Sequence, residues 1–181
     1  MQLKKILIMA SLLLFGIVAS CKAQSKSIIK TTSVSANKTT FLKTDNSSFR
    51  FITYSNSDEA DFKTASALSA NLYDTKAVLS FPRNKTIYIA LEKTLQKSQI
   101  KGIENESVIF MITFTKEIKP ISITFMIPRG MNILPAQLEV LENDLKTNLT
   151  GKAIKFEEVK KYAYYTIRVP LSKIVDGTYF Y

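Results

Sequence analysis

Histidine and tryptophan are absent from this chain of 181 residues, cysteine occurs once, and glycine and proline occur five times each. Each shortage excludes a chemistry. Without histidine there is no Ser-His-Asp or Cys-His nucleophile system, no imidazole metal ligand and no imidazole pH switch. A single cysteine builds no thiolate zinc site. Five scattered glycines make no phosphate-cradling loop. Low glycine and proline also argue against a low-complexity chain, and plentiful Tyr and Phe supply material for a core.

Acidic residues are the next shortage. Lys and Arg total 25 against 15 Asp and Glu, a formal net charge of +10. A basic balance can favour nucleic acid, anionic lipid or acidic glycans. Here the lysines are dispersed (Lys43, Lys63, Lys76, Lys93, Lys116, Lys146), and the densest patch, Lys152, Lys155, Lys160 and Lys161, is interrupted by Glu157 and Glu158. That pattern predicts a solubilising surface and no nucleic-acid partner.

The one long apolar run is Ile6–Ala19, 14 residues without a charge, preceded by Lys4 and Lys5. A bilayer span needs about 20 residues, and a run of this length behind a basic start reads as the hydrophobic region of an export signal. Two processing sites compete at its end. Val18-Ala19-Ser20-Cys21 resembles the lipobox of bacterial lipoproteins. The resemblance implies that the Cys21 thiol takes a diacylglyceryl group and that the leader is cut before it. Cys21-Lys22-Ala23 instead offers a small-x-small site, cut after Ala23 to release a soluble chain beginning at Gln24. Either way the mature chain keeps no free thiol. "CKAQSKS" carries no acidic residue after the cysteine, which favours a periplasm-facing protein over a surface-exported one. The expected address is therefore the cell envelope, with the membrane reached through an N-terminal lipid anchor.

The predicted organisation is a signal peptide over residues 1–20, a lipidated tether over 21–40 and a single domain over 41–181. Residues 22–40 are rich in Ser, Thr and Lys without apolar periodicity, hence the tether, with a short strand near Ile28-Ile29. "SFRFITYS" (48–55) reads as a strand, Ser57–Tyr73 as a helix with acidic residues at its start, and "KAVLSFP" (76–82) as a short strand. Asn84 caps a helix carrying Ile87, Leu91 and Leu95 on one face. "SVIFMITFT" and "PISITFMIP", joined by "KEIKP", make an antiparallel hairpin whose first strand is central. A helix follows with Leu134, Leu138, Leu141, Leu145 and Leu149 in a stripe, Asn132 as cap and Gly151 as stop. In the last strand Ala163, Tyr165, Ile167 and Val169 alternate with Tyr162, Tyr164, Thr166 and Arg168. The fold class expected is α+β: one small domain, an antiparallel sheet with helices on one face, running helix–strand–strand–helix–strand over its best-defined unit, 84–171.

That order, with "IPRGMNILPAQLEVLENDL" and "YTIRVPLSKI", resembles the C-terminal domain of TonB-type proteins over residues 85–171. The resemblance implies a fold and carries over no functional residue.

Carboxylates are the remaining catalytic candidates. The pairs are Asp58/Asp61, Glu139/Glu142 and Glu157/Glu158; the first two, at i, i+3, are expected on solvated helix faces. The function expected is that of a non-enzymatic envelope lipoprotein without a cofactor. It would meet a protein or glycan partner through Tyr162, Tyr164 and Arg168 on the outer face of the last strand. A carboxylate enzyme acting on glycans and a periplasmic small-ligand carrier are the alternatives.

Overall fold

A computed structural model describes residues 27–59, 77–81, 85–156 and 161–178. The leader, Cys21, the helix expected after Glu59, the Asn84 cap, Glu157/Glu158 and the aromatic tail from Tyr179 lie outside the described residues. Along the chain the elements are β1 (Ile29–Ser35), β2 (Thr40–Asn46), β3 (Phe51–Asn56), a single 3₁₀ turn (Ser57–Glu59) and β4 (Val78–Ser80). Then come α1 (Lys85–Thr94), α2 (Lys97–Ile100), β5 (Ser107–Thr115) and β6 (Pro120–Pro128). The chain continues through α3 (Pro135–Asn148), β7 (Lys152–Lys155), β8 (Tyr162–Pro170) and α4 (Leu171–Asp176).

The fold grows from the β5–β6 hairpin. In β5 the alternate residues Val108, Phe110, Ile112 and Phe114 are all completely buried. They pair in register with β6, Phe110 opposite Phe125 and Ile112 opposite Ile123, so one face of the hairpin is a continuous apolar surface. Strands add on both sides to give a six-stranded antiparallel sheet in the order β1-β2-β3-β6-β5-β8, with β4 and β7 forming a separate pair. β5 is interior, as its apolar character predicts. Helices bury their apolar stripes against the same face: Ile87 and Leu91 from α1, Leu138, Leu141 and Leu145 from α3, Leu171 and Ile174 from α4. Phe41, Phe110 and Phe125 meet edge-on at its centre, with ring centroids 5.7 Å apart for Phe110–Phe125 and 6.3 Å for Phe41–Phe125. The chain is thus the α+β domain expected, with helices on one face of an antiparallel sheet.

Three local expectations are corrected. From Ile29 on, the expected tether is part of the domain: β1 and β2 form a full hairpin, Ile29 opposite Asn46 through Ser35 opposite Thr40. β1 is an edge strand with only Val34 partly buried, so it needs no apolar alternation, and its Thr- and Ser-rich sequence hid it. The helix expected to run to Gln99 ends at Thr94, and the short α2 follows. α3 is capped at Leu134 rather than Asn132. The Leu134 N–H donates to Gln137 Oε1 at 3.0 Å, and Leu134 itself is exposed while the rest of its stripe is buried. At the far end α3 stops at Asn148, before Gly151. Gly151 has another use: a Cβ there would lie 2.5 Å from the Phe81 ring. Its lack of a side chain lets Phe81 reach Phe114 and Tyr165, at 4.9 and 4.6 Å between centroids.

Candidate functional site

β8 is an edge strand, paired among the described residues only with β5. Its alternation sends Ala163, Ile167 and Val169 into the core and Tyr162, Tyr164, Thr166 and Arg168 to the opposite face. The register sets Tyr164 beside Thr113, Thr166 beside Met111 and Arg168 beside Ile109. Tyr164 is 49% exposed, and Met111 is exposed too. Arg168 Nε donates to Ser107 Oγ at 3.1 Å, which fixes the guanidinium along the sheet. The three sequence-predicted surface residues therefore share one face of one strand. Met111 joins them; it went unremarked in the sequence because β5 is apolar on both faces. The arrangement carries hydroxyls, two aromatic rings and one cation along one face, groups suited to stacking and hydrogen bonding.

The carboxylate pair Glu139/Glu142 is not on a solvated face. Glu139 is 5% exposed and Glu142 2%. Glu139 reaches under the β1–β2 turn: the N–H groups of Asn37 and Lys38 donate to it at 3.0 and 2.9 Å, and the Thr39 hydroxyl donates at 3.2 Å. Glu142 accepts from Asn56 Nδ2 at 3.3 Å and pairs with Lys146 Nζ at 2.8 Å. The turn that binds Glu139 is some 100 residues distant in sequence and Asn56 is 86 from Glu142; only Lys146, at i, i+4, is a local partner, and it does not announce burial. Burial opposes ionisation of Glu139, but the Lys38 and Asn37 N–H groups and the Thr39 hydroxyl outweigh it, and the carboxyl titrates below its ordinary range. Of the other pair, Asp58 is exposed and Asp61 lies outside the described residues.

Other groups are tied into the frame. Arg129 closes the strand end opposite to that turn. It pairs with Asp45, donates to the Asn46 carbonyl and, through Nε, to the Phe49 carbonyl at 2.6 Å. Tyr54 is pushed up from its ordinary pKa by burial and then by Asp45, and Tyr88 by burial. An open cavity of about 420 Å³ beside the β4–β7 pair is lined by Ser80, Thr150, Gly151 and Lys152.

No protein-family model and no curated protein matches the chain. Among solved structures, a DUF5043 family protein from Bacteroides uniformis, a crystal structure at 1.85 Å, is similar at 14% identity and a TM-score of 0.53, over 77% of this chain and 83% of that one. At that identity the likeness shows the fold alone.

Proposed function

We propose that this chain is an exported, non-enzymatic cell-envelope lipoprotein that presents the outer face of its sheet to a protein or glycan partner on the periplasmic side. The single observation that carries the binding role is the row Tyr162, Tyr164, Thr166 and Arg168 along an edge strand. Aromatic and arginine side chains on a half-wet surface supply contact area at low entropic cost. The address rests on the apolar leader and on Cys21 at the end of Val18-Ala19-Ser20. Two or more acyl chains on that residue would hold the protein to a membrane, where a single chain holds weakly.

The buried carboxylates do not support the carboxylate-enzyme alternative. Both oxygens of Glu139 accept hydrogen bonds from the β1–β2 turn, and a carboxyl held below its usual range is a poor proton donor near neutrality.

The test is a photo-crosslinking residue placed at Tyr164 in cells, with one at Val140 on α3 as control. A discrete adduct is expected at 164 and not at 140. Adding Tyr162→Ala and Arg168→Ala together should abolish it, since paired hot-spot losses of about 2 kcal/mol or more correspond to roughly thirtyfold in affinity. Co-sedimentation with purified cell-wall glycan separates a glycan from a protein partner. A chain giving no adduct at 164 and no co-sedimentation would remove the binding face.

A further inference from the structure

We infer that the end of the sheet carrying Ile28, Ile29 and Phe49 docks on the bilayer surface in which Cys21 is anchored. This rests on the lipid-anchor proposal above and adds an orientation and a contact surface to it.

Ile28, Ile29 and Phe49 are 70%, 63% and 63% exposed. Phe49 lies 20 residues beyond the adjacent pair Ile28 and Ile29 in sequence, and the fold brings it to their end of the sheet. The Ile28 carbonyl accepts from the Ser47 N–H at 3.0 Å, and the Phe49 N–H donates to the Asn46 carbonyl at 2.9 Å. Ile29 stands opposite Asn46 across the β1–β2 ladder. Arg129 then ties Asn46 and Phe49 to the end of β6, so the apolar group sits on a braced end of the sheet. Folding does not account for it, since none of the three belongs to the buried core.

The position of the anchor says what covers this end. Seven residue steps separate Cys21 from Ile28, which span at most about 25 Å even fully extended. The domain begins where the expected tether was to have held it away from the lipid. A lipidated Cys21 therefore keeps Ile28 within about 25 Å of the membrane, and the large apolar residues that follow the anchor first in the described chain, Ile28 and Ile29, are exposed. Charge is complementary. Lys22, Lys26 and Lys30 flank the two isoleucines with no carboxylate between Cys21 and Lys30. Of the nearby acids, Asp45 is paired with Arg129 and Glu106 with Arg50. Lysines that reach outward to headgroups while apolar side chains enter the boundary are the pattern of an interfacial contact. In this pose β1 runs away from the membrane. The Glu139-pinned turn then lies at the far end of the sheet, and the β8 face stands up from the surface, open to a partner from the side.

The absence of tryptophan supplies the test. The full mature lipidated protein carrying Phe49→Trp is reconstituted in vesicles of phosphatidylethanolamine and phosphatidylglycerol. The protein should float with the vesicles, its emission should shift to the blue relative to the protein in detergent-free buffer after lipase release, and brominated lipid should quench it. Val140→Trp, beside Glu139 at the opposite end, should stay wet and unquenched. Circular dichroism matching wild type checks the fold, and Ile29→Trp serves if Phe49→Trp fails that check. Flotation with a wet Trp at position 49 or 29, or equal quenching of Val140→Trp, overturns the docking while leaving the anchor standing. Failure to float overturns the anchor, and the docking with it.

Discussion

Phe110→Ala is expected to lower folding stability by about 3–5 kcal/mol. Small domains are stable by only about 5–15 kcal/mol in total, so this single change should populate unfolded chain under mild conditions. Phe110 is completely buried on the central strand. It meets Phe125 edge-on, and it stands opposite Ile167 of β8 as well as Phe125 of β6. Three strands therefore lose a shared contact, and neighbours held in a paired ladder can relax little into the cavity. Its neighbour Met111 points to the opposite, exposed face, and Met111→Ala should cost about 0.5 kcal/mol or less. Urea unfolding followed by far-ultraviolet circular dichroism gives both values. Equal losses at 110 and 111 would mean that the core does not lie on the side assigned here.

Glu139→Gln should produce the largest stability loss of any single carboxylate-to-amide change in the described domain. The amide nitrogen it introduces would face donors, since Asn37 N–H, Lys38 N–H and the Thr39 hydroxyl all point at this group. The effect has a pH signature. The folded carboxyl titrates below its ordinary range, so the unfolded chain takes up a proton first as pH falls. The contribution of Glu139 is thus fully present above the unfolded value of about 4.3, and it is lost as pH drops through the lower folded value. The gap between wild type and Glu139→Gln should be constant from neutrality to about pH 5 and close below about pH 4. Glu104, lowered by the Gly102 N–H, and Glu117, lowered by the Thr115 hydroxyl, are present in both proteins and cancel in the difference. A gap that is flat down to pH 2.5, roughly two units below the unfolded value, would show that Glu139 is not held ionised by the turn.

What could be read from the sequence was whatever repeats at short range. The β5–β6 hairpin, the alternation of β8 and the stripe Ile87, Leu91, Leu95 are periodic patterns with one face buried, and all three are realised. The candidate surface of Tyr162, Tyr164 and Arg168 followed from the same period of two. The rest depended on distance. β1 has two largely wet faces and depends on its ladder with β2, so its composition resembled that of a linker. Glu139 and Glu142 are spaced like surface residues, and only the turn at 37–39 and Asn56, brought in from the far end of the sequence, make them interior. The apolar end at Ile28, Ile29 and Phe49 likewise exists only once β1, β2 and the loop after them are folded together.

The envelope address, and the membrane docking built on it, depend on the chemistry at Cys21. The most direct measurement is labelling of cells with a lipid precursor, followed by intact mass of the mature protein, wild type beside Cys21→Ala. The expected result is a labelled wild-type chain that begins at Cys21 and carries acyl mass, with an unlabelled Cys21→Ala protein that no longer fractionates with membranes. An unlabelled wild-type chain beginning at Gln24 would contradict the lipid anchor.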